Sequence, residues 1–378
     1  MNKKKILILP ISVGAGHFKV AQALKRVFLK KTQNIEVDIE DALDHVAWPL
    51  RFLYKNVYSF FINHWPLSRL YGYAYRKGRE VTAYTRAWHW SVMSCFLLLS
   101  RGLEKFTLEY RPDLIICLHP FLLELISVWK KKGKIKSPLV TITTDLMPHR
   151  LWIFPIVDQY YVGTKEIKEF FLENGILQDK IKVTGLPLDS KFYKELDRDK
   201  IVDKLGLSQD KRTILILCRR LGFKNLKETL LGLKTLNTQA IIITEKDKKL
   251  QRNLEKEKKK FPFPISIYEY TKIMPELMTI ADVLISKPGG IICVEAICKK
   301  LPQIVINPIP GQEEDNLKFL LIKKAALYAR NPQEIITYTK KVLTSGKVRS
   351  NIKINLEKLV KFNAPDIIVK DIIDKFLK

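Results

Sequence analysis

The sequence predicts an α/β protein of two nucleotide-binding-type domains, each built on a parallel sheet. Three observations carry that prediction. Short apolar runs alternate with amphipathic helical stretches in both halves of the chain. A glycine loop, Gly14-Ala15-Gly16-His17, follows the strand-like run Ile6–Leu9. A second loop, Lys287-Pro288-Gly289-Gly290, follows the apolar run Ala281–Ile285 and opens a further apolar, helical stretch. At 378 residues with 47% hydrophobic content, the chain has the length and the material for two cores.

The elements follow in order. In the first half, strands are predicted over Lys5–Leu9, Ile35–Ile39, Leu114–Leu118, Leu139–Thr143, Gln159–Val162 and Ile181–Val183. In the second half they are predicted over Thr213–Leu217, Ala240–Thr244, Ile265–Tyr268, Val283–Ile285 and Gln303–Ile306. Strands separated by helices imply parallel sheets, which bind ligands at the carboxyl ends of their strands, where both glycine loops fall. Gly185–Phe192 marks the boundary between residues 1–188 and 189–363. Lys246–Lys260 reads as a solvated helix face.

One segment breaks the alternation. Residues 48–90 interleave Trp48, Phe52, Trp65, Tyr71, Tyr73, Tyr75 and other aromatics with Arg69, Arg76, Lys77 and Arg79. Aromatic rings with cationic heads suit a bilayer interface, where rings enter at headgroup depth and cations meet anionic lipid. A pair of helices packed into the first domain's core would carry the same aromatics, and the two readings can hold on different faces.

The loop at 287–290 has the features of a phosphate site. Residues without Cβ let backbone approach an anion, and a helix N-terminus offers free N–H groups and a partial positive charge. Glu295, a turn later, is placed to accept hydrogen bonds from ribose hydroxyls, and Gly311-Gln312-Glu313 with Asn316 supply polar groups for a sugar. An isolated Pro-Gly-Gly is more often an ordinary strand-to-helix turn. Its pairing with the N-terminal loop favours a nucleotide-sugar site.

Further matches run along almost the whole chain. They are Ser12–His17 with Ala21 and Ala23-Leu24; Pro112-Asp113 through His119-Pro120; Thr144-Asp145, His149, Trp152 and Asp158; Thr184–Pro187 with Phe192; Lys287–Gly290; Glu295-Ala296; and Pro310–Glu313 with Asn316. On these residues the chain resembles the glycosyltransferases that include monogalactosyldiacylglycerol synthase and processive diacylglycerol glucosyltransferase. The related peptidoglycan N-acetylglucosaminyltransferases match less well at Pro310–Glu313. The resemblance implies the GT-B fold, two Rossmann-like domains facing across a cleft, with helix 364–378 crossing back onto the first. It implies an inverting transferase moving a hexose from a UDP-sugar to diacylglycerol or a related glycolipid. An N-acetylglucosaminyltransferase acting on another lipid carrier, or a non-catalytic UDP-sugar sensor, stays open.

The chain departs from that pattern in two places. The Gly-rich loop expected after the first strand of the second domain is replaced by Cys218-Arg219-Arg220-Leu221-Gly222-Phe223. A later Gly-Arg-Asn turn is replaced by Thr244-Glu245-Lys246-Asp247. Arg219 or Arg220 can donate to the diphosphate in place of the backbone N–H groups that a glycine loop would present, or both can be surface charge.

Glycosyl transfer needs a stabilised leaving diphosphate and a base for the acceptor hydroxyl. Helix N-termini can meet the first need, so neither a metal ion nor a cofactor is predicted. His17 has a suitable intrinsic pKa for the base, held by Gly14 and Gly16; a histidine there can instead cap the helix. Asp145 is placed to orient a catalytic group or the acceptor, although an Asp before Pro148 also suits a plain turn. His119 and His149 are either acceptor-side or structural.

Lys and Arg number 66 against 39 Asp and Glu, a net charge of +27. Such an excess attracts polyanions, and an AT-rich genome also inflates lysine. The five cysteines show no metal-binding spacing and read as buried free thiols in a reducing cytosol. Met1–Ile11 mimics a signal peptide but breaks at Pro10, and no apolar run reaches transmembrane length. The expected partners are a UDP-sugar, a lipid acceptor and an anionic membrane surface rather than nucleic acid. The expected location is the inner face of the cell membrane, held peripherally.

Overall fold

The structure, a computed structural model, describes residues 3–12, 16–58, 67–77, 93–218, 221–361 and 363–378. The chain divides into two compact units. The first comprises Met1–Ser190, Ile309–Gln312 and Lys361–Lys378; the second comprises Lys191–Pro308 and Glu313–Val360.

The first unit is built on six parallel strands: β1 (Lys4–Leu9), β2 (Ile35–Ile39), β3 (Leu114–Cys117), β4 (Leu139–Ile142), β5 (Gln159–Val162) and β6 (Ile181–Val183), in the order β2-β1-β3-β4-β5-β6. Strands β3, β4 and β5 are buried at every position, as expected when helices cover both faces of a parallel sheet. Chain direction across the sheet reverses between β1 and β3, whose pairing sets Leu7 beside Ile115. Loops leaving the carboxyl ends at such a switch point diverge and leave a crevice.

Helix α1 (Gly16–Lys31) leaves β1 and buries Val20, Ala21, Ala23, Leu24, Val27 and Phe28, a helical-period stripe. Helix α2 (Leu67–Lys77) lies between stretches outside the described residues. Helix α3 (Pro120–Lys131) leaves β3; Pro120 opens it, where its missing N–H costs nothing. The helix Ala364–Phe376 packs on α1, with Lys31 3.5 Å from Asp366. It is tied to the sheet by Tyr161 and Lys182, each donating to Asp371 at 2.7 Å, and by Lys375 donating to Gln159 at 2.7 Å.

The second unit carries β7 (Arg212–Leu217), β8 (Thr238–Ile243), β9 (Ile265–Tyr268), β10 (Val283–Ser286), β11 (Gln303–Ile306) and β12 (Ala326–Ala329), all parallel, in the order β12-β11-β10-β7-β8-β9. This is the doubly wound order, with its switch point between β7 and β10. Helices α4 (Phe223–Gly232), α5 (Gly290–Cys298) and α6 (Gln312–Ile322) follow β7, β10 and β11. The edge strand β12 was not expected from sequence. Lys248–Glu257 is helical and buries only Leu250 and Leu254.

Candidate active site

The crevice at the β1/β3 switch point opens into a cavity of about 690 Å³ in the first unit. Its walls are mostly apolar and aromatic: Leu53, Tyr54, Leu70, Tyr71, Phe96 and Trp152 are among them. His17, His119, Thr144, Asp145, His149 and Gln312 contribute polar groups to the same lining.

His17 sits in the first turn of α1. Its Nδ1 donates to the Ile11 carbonyl at 3.3 Å, because a carbonyl can only accept. In the neutral ring Nε2 therefore carries a lone pair, which faces the Thr144 hydroxyl at 3.4 Å. Burial holds the imidazole below its usual 6.5, with the Ile11 carbonyl opposing. His119 lies edge-on to His17, ring centres 5.3 Å apart. Burial, and then the charge His17 can carry, hold it well below the ordinary range.

Thr144 and Asp145 follow β4. Asp145 is 6% exposed and accepts the Trp152 indole N–H at 2.7 Å and the side-chain amide of Gln312. Burial raises its pKa, while these two donors oppose the rise. His149 caps a short turn through Nδ1, which accepts the Leu151 N–H at 3.2 Å. Its Nε2–H donates to the Tyr75 carbonyl at 2.9 Å, and its ring lies tilted against that of Tyr75, centres 4.2 Å apart. Tyr71 and Tyr75 in turn carry the Pro310-Gly311 loop. Gly311 has φ +100°, and a Cβ built there would stand 3.1 Å from Tyr75 Cγ.

Around the mouth, Leu53, Leu70 and Leu151 line the cavity and are also 40%, 57% and 42% exposed. Trp48 and Phe52 stack on each other on the short helix just before Leu53 and are exposed as well. Arg69, Arg76 and Lys77 are exposed on α2.

In the second unit the residues singled out after β10 come together. Gly289 is the N-cap of α5, and Asn316 donates to the Pro288 carbonyl at 3.0 Å. Lys287 and Glu313 form an ion pair. Glu295 is buried on α5. The turn after β8 places Glu245 at φ +54°, so a conformation suited to glycine survives without one. Gly311 and Gln312, grouped by sequence with the donor residues, cluster with the first unit instead. Gly14, Trp65, Arg79, Arg219 and Arg220 lie outside the described residues. Leu53 and Leu70 belong to no sequence motif; only their convergence with Tyr54 and Thr144 on one cavity marks them.

The chain's single Asp-x-Asp, Asp197-Arg198-Asp199, caps a helix: Asp197 accepts the Lys200 N–H at 3.1 Å. Among the described residues no three His, Cys, Asp or Glu side chains are disposed to share a metal ion. No helix among them is long and apolar enough to cross a membrane. Cys117, Cys218, Cys293 and Cys298 are buried free thiols, and Cys95 is exposed.

Over 385 residues the chain is 30% identical to the processive diacylglycerol β-glucosyltransferase of Bacillus licheniformis, spanning 99% of this chain and 96% of that one. The chain belongs to the processive diacylglycerol glucosyltransferase family. In this glucosyltransferase family member, residues 17–188 match the model for monogalactosyldiacylglycerol (MGDG) synthase, and residues 213–359 match the glycosyltransferase family 28 C-terminal domain. The fold is GT-B. MurG of Acinetobacter baumannii superposes with a TM-score of 0.61 at 13% identity, covering 98% of this chain and 99% of MurG. UGT71G1 of Medicago truncatula, complexed with UDP-glucose, gives 0.62 at 13% identity, covering 100% and 99%.

Proposed function

We propose that the second unit holds a UDP-sugar, that the first holds diacylglycerol or a related glycolipid, and that a hexose passes to the lipid hydroxyl with inversion. The observation that carries this reading is the first unit's cavity, whose apolar walls end in a histidine with an accepting nitrogen. A lipid needs the walls, and its hydroxyl needs the base. The near full-length likeness to a diacylglycerol glucosyltransferase supports the same acceptor.

The chemistry is a single displacement. As the acceptor oxygen attacks the anomeric carbon, its proton passes to His17 Nε2 and the bond from that carbon to the diphosphate oxygen breaks. Charge on the departing UDP is met by the N-terminus of α5 at Gly289 and Gly290 and by the Lys287 ammonium. Glu295 binds the ribose, and Glu313 and Asn316 bind the sugar. Asp145 holds Trp152 and Gln312 in the cavity wall. The apolar rim of Leu53, Leu70 and Leu151, beside the cations of α2, docks on an anionic bilayer at the inner face of the cell membrane and admits the lipid sideways. The pathway uses the donor substrate without a cofactor.

The test is to incubate the purified protein with a panel of UDP-hexoses and UDP-N-acetylhexosamines and with diacylglycerol in mixed micelles. UDP release is followed, and products are identified by mass spectrometry. A hexosyl-diacylglycerol is expected. UDP binding with no glycolipid from any donor would refute transfer to diacylglycerol.

A further inference from the structure

His119 has a side chain whose two nitrogens do different work. It is the N-cap of α3: Nδ1 accepts the Phe121 N–H at 3.2 Å. A backbone N–H can only donate, so Nδ1 carries no proton, and in the neutral ring the proton sits on Nε2. Among the described residues that Nε2–H has no protein partner, and the ring lines the cavity beside His17. His17 is fixed the other way, with Nδ1 donating and Nε2 accepting. Two neighbouring imidazoles thus present one donor and one acceptor to the same cavity.

We infer that His119 is the acceptor-positioning residue: its Nε2–H donates to the hydroxyl oxygen of the bound lipid while that hydroxyl displaces the Thr144 hydroxyl and donates to His17 Nε2. A hydroxyl is the group that both accepts and donates, so the pair selects it over an ester or an ether. The geometry leaves the oxygen's second lone pair free for the anomeric carbon. When that bond forms the proton is on His17, the UDP oxygen has left with the electron pair of the broken bond, and the His119 hydrogen bond persists to the new glycosidic oxygen. Burial keeps His119 neutral near pH 7, so the tautomer set by the α3 cap is the one in use. The inference rests on the acceptor reading above and adds which atom holds the hydroxyl.

Two substitutions separate the roles of the ring. His119→Asn keeps an oxygen where Nδ1 caps α3 but removes the distal N–H. His119→Gln places an amide N–H near the position of Nε2 but gives up the cap. The measurement is binding of 1,2-diacylglycerol and of its 3-deoxy analogue, which lacks only the hydroxyl, followed by quenching of tryptophan fluorescence, with transfer kinetics alongside. Wild type should prefer the alcohol by about tenfold, the size expected for one hydrogen bond to a buried site. His119→Asn should lose that preference and raise KM for the lipid about tenfold, with unchanged Kd for UDP and unchanged melting temperature. His119→Gln should melt lower yet restore most of the preference. A His119→Asn variant that discriminates like wild type, or a wild type that binds both lipids equally, would overturn the inference. Wild type that binds and discriminates but transfers no sugar would instead overturn the transferase reading, and the binding comparison still decides the role of His119.

Discussion

Replacing His17 with alanine should lower kcat by about a hundredfold or more, within the 10²–10⁴ range of a general base, or about 3–5 kcal/mol at 1.36 kcal/mol per decade. The structure also fixes how the wild-type rate varies with pH. Burial pulls His17 below its usual range, so the neutral imidazole predominates at pH 7 and is ready to take a proton. Because the base must be unprotonated, kcat/KM should be flat above neutrality and fall on an acidic limb centred below pH 6.5. His119 sits 5.3 Å away and also titrates low, so that limb belongs to the pair. Stability moves in the same direction. A histidine whose folded pKa is depressed leaves the unfolded chain holding more protons, so stability is present above 6.5 and is lost as pH falls below it. Melting temperature must therefore be recorded at each pH, and only points from folded enzyme kept. The assay is initial-rate UDP release with diacylglycerol from pH 5 to 9, with calorimetry of UDP binding to both proteins. Turnover within threefold of wild type in a folded His17→Ala protein, or an acidic limb centred above 6.5, would refute the base.

Three further outcomes are expected. Lys287→Ala should weaken UDP by about 1.5–3 kcal/mol, as for a hydrogen bond to a charged group, and leave uridine unchanged; equal losses for both ligands in calorimetry would remove Lys287 from the diphosphate. Gly311→Ala should destabilise the first unit by about 2 kcal/mol in urea unfolding, combining a φ of +100° with the 3.1 Å approach to Tyr75, and adding Tyr75→Ala should recover only the steric part; a neutral substitution would contradict the loop geometry. The protein should sediment with anionic vesicles and be released by salt, and replacing Arg69, Arg76 and Lys77 by Gln should weaken this by about 1 kcal/mol per charge; equally tight binding to neutral vesicles would discard the electrostatic account.

How much was legible follows from where each signal lives. Strands such as Leu114–Cys117 and Leu139–Ile142 are apolar on both faces because helices cover both sides of a parallel sheet, so they stand out in the sequence. β12 did not. Ala326-Leu327-Tyr328-Ala329 is an edge strand, half-buried at Leu327 and Tyr328, and its register comes from β11. The loop after β10 was readable because its glycines, its turn and its helix are contiguous. Gly311 and Gln312 looked like part of the same site, yet Asp145 and Tyr75 hold them in the first unit, a tertiary choice that spacing cannot express. The cavity was invisible for the same reason: Leu53, Leu70 and Leu151 come from three separate segments. Glu245 shows the converse, a residue type that conceals a turn the backbone keeps.

The helix Ala364–Phe376 gives the first unit a peculiar history during synthesis. Ile368, Val369 and Ile372 are fully buried, and Asp371 ties β5 and β6 together through Tyr161 and Lys182. A ribosome delivers β1 to β6 first, then the whole of the second unit, and only then this helix. For most of translation the emerging sheet therefore lacks its last buttress, and the part of α1 that the helix covers faces solvent or a chaperone. The second unit, interrupted only by Ile309–Gln312, completes its sheet while the first still waits, so the order of maturation runs against the order of the sequence.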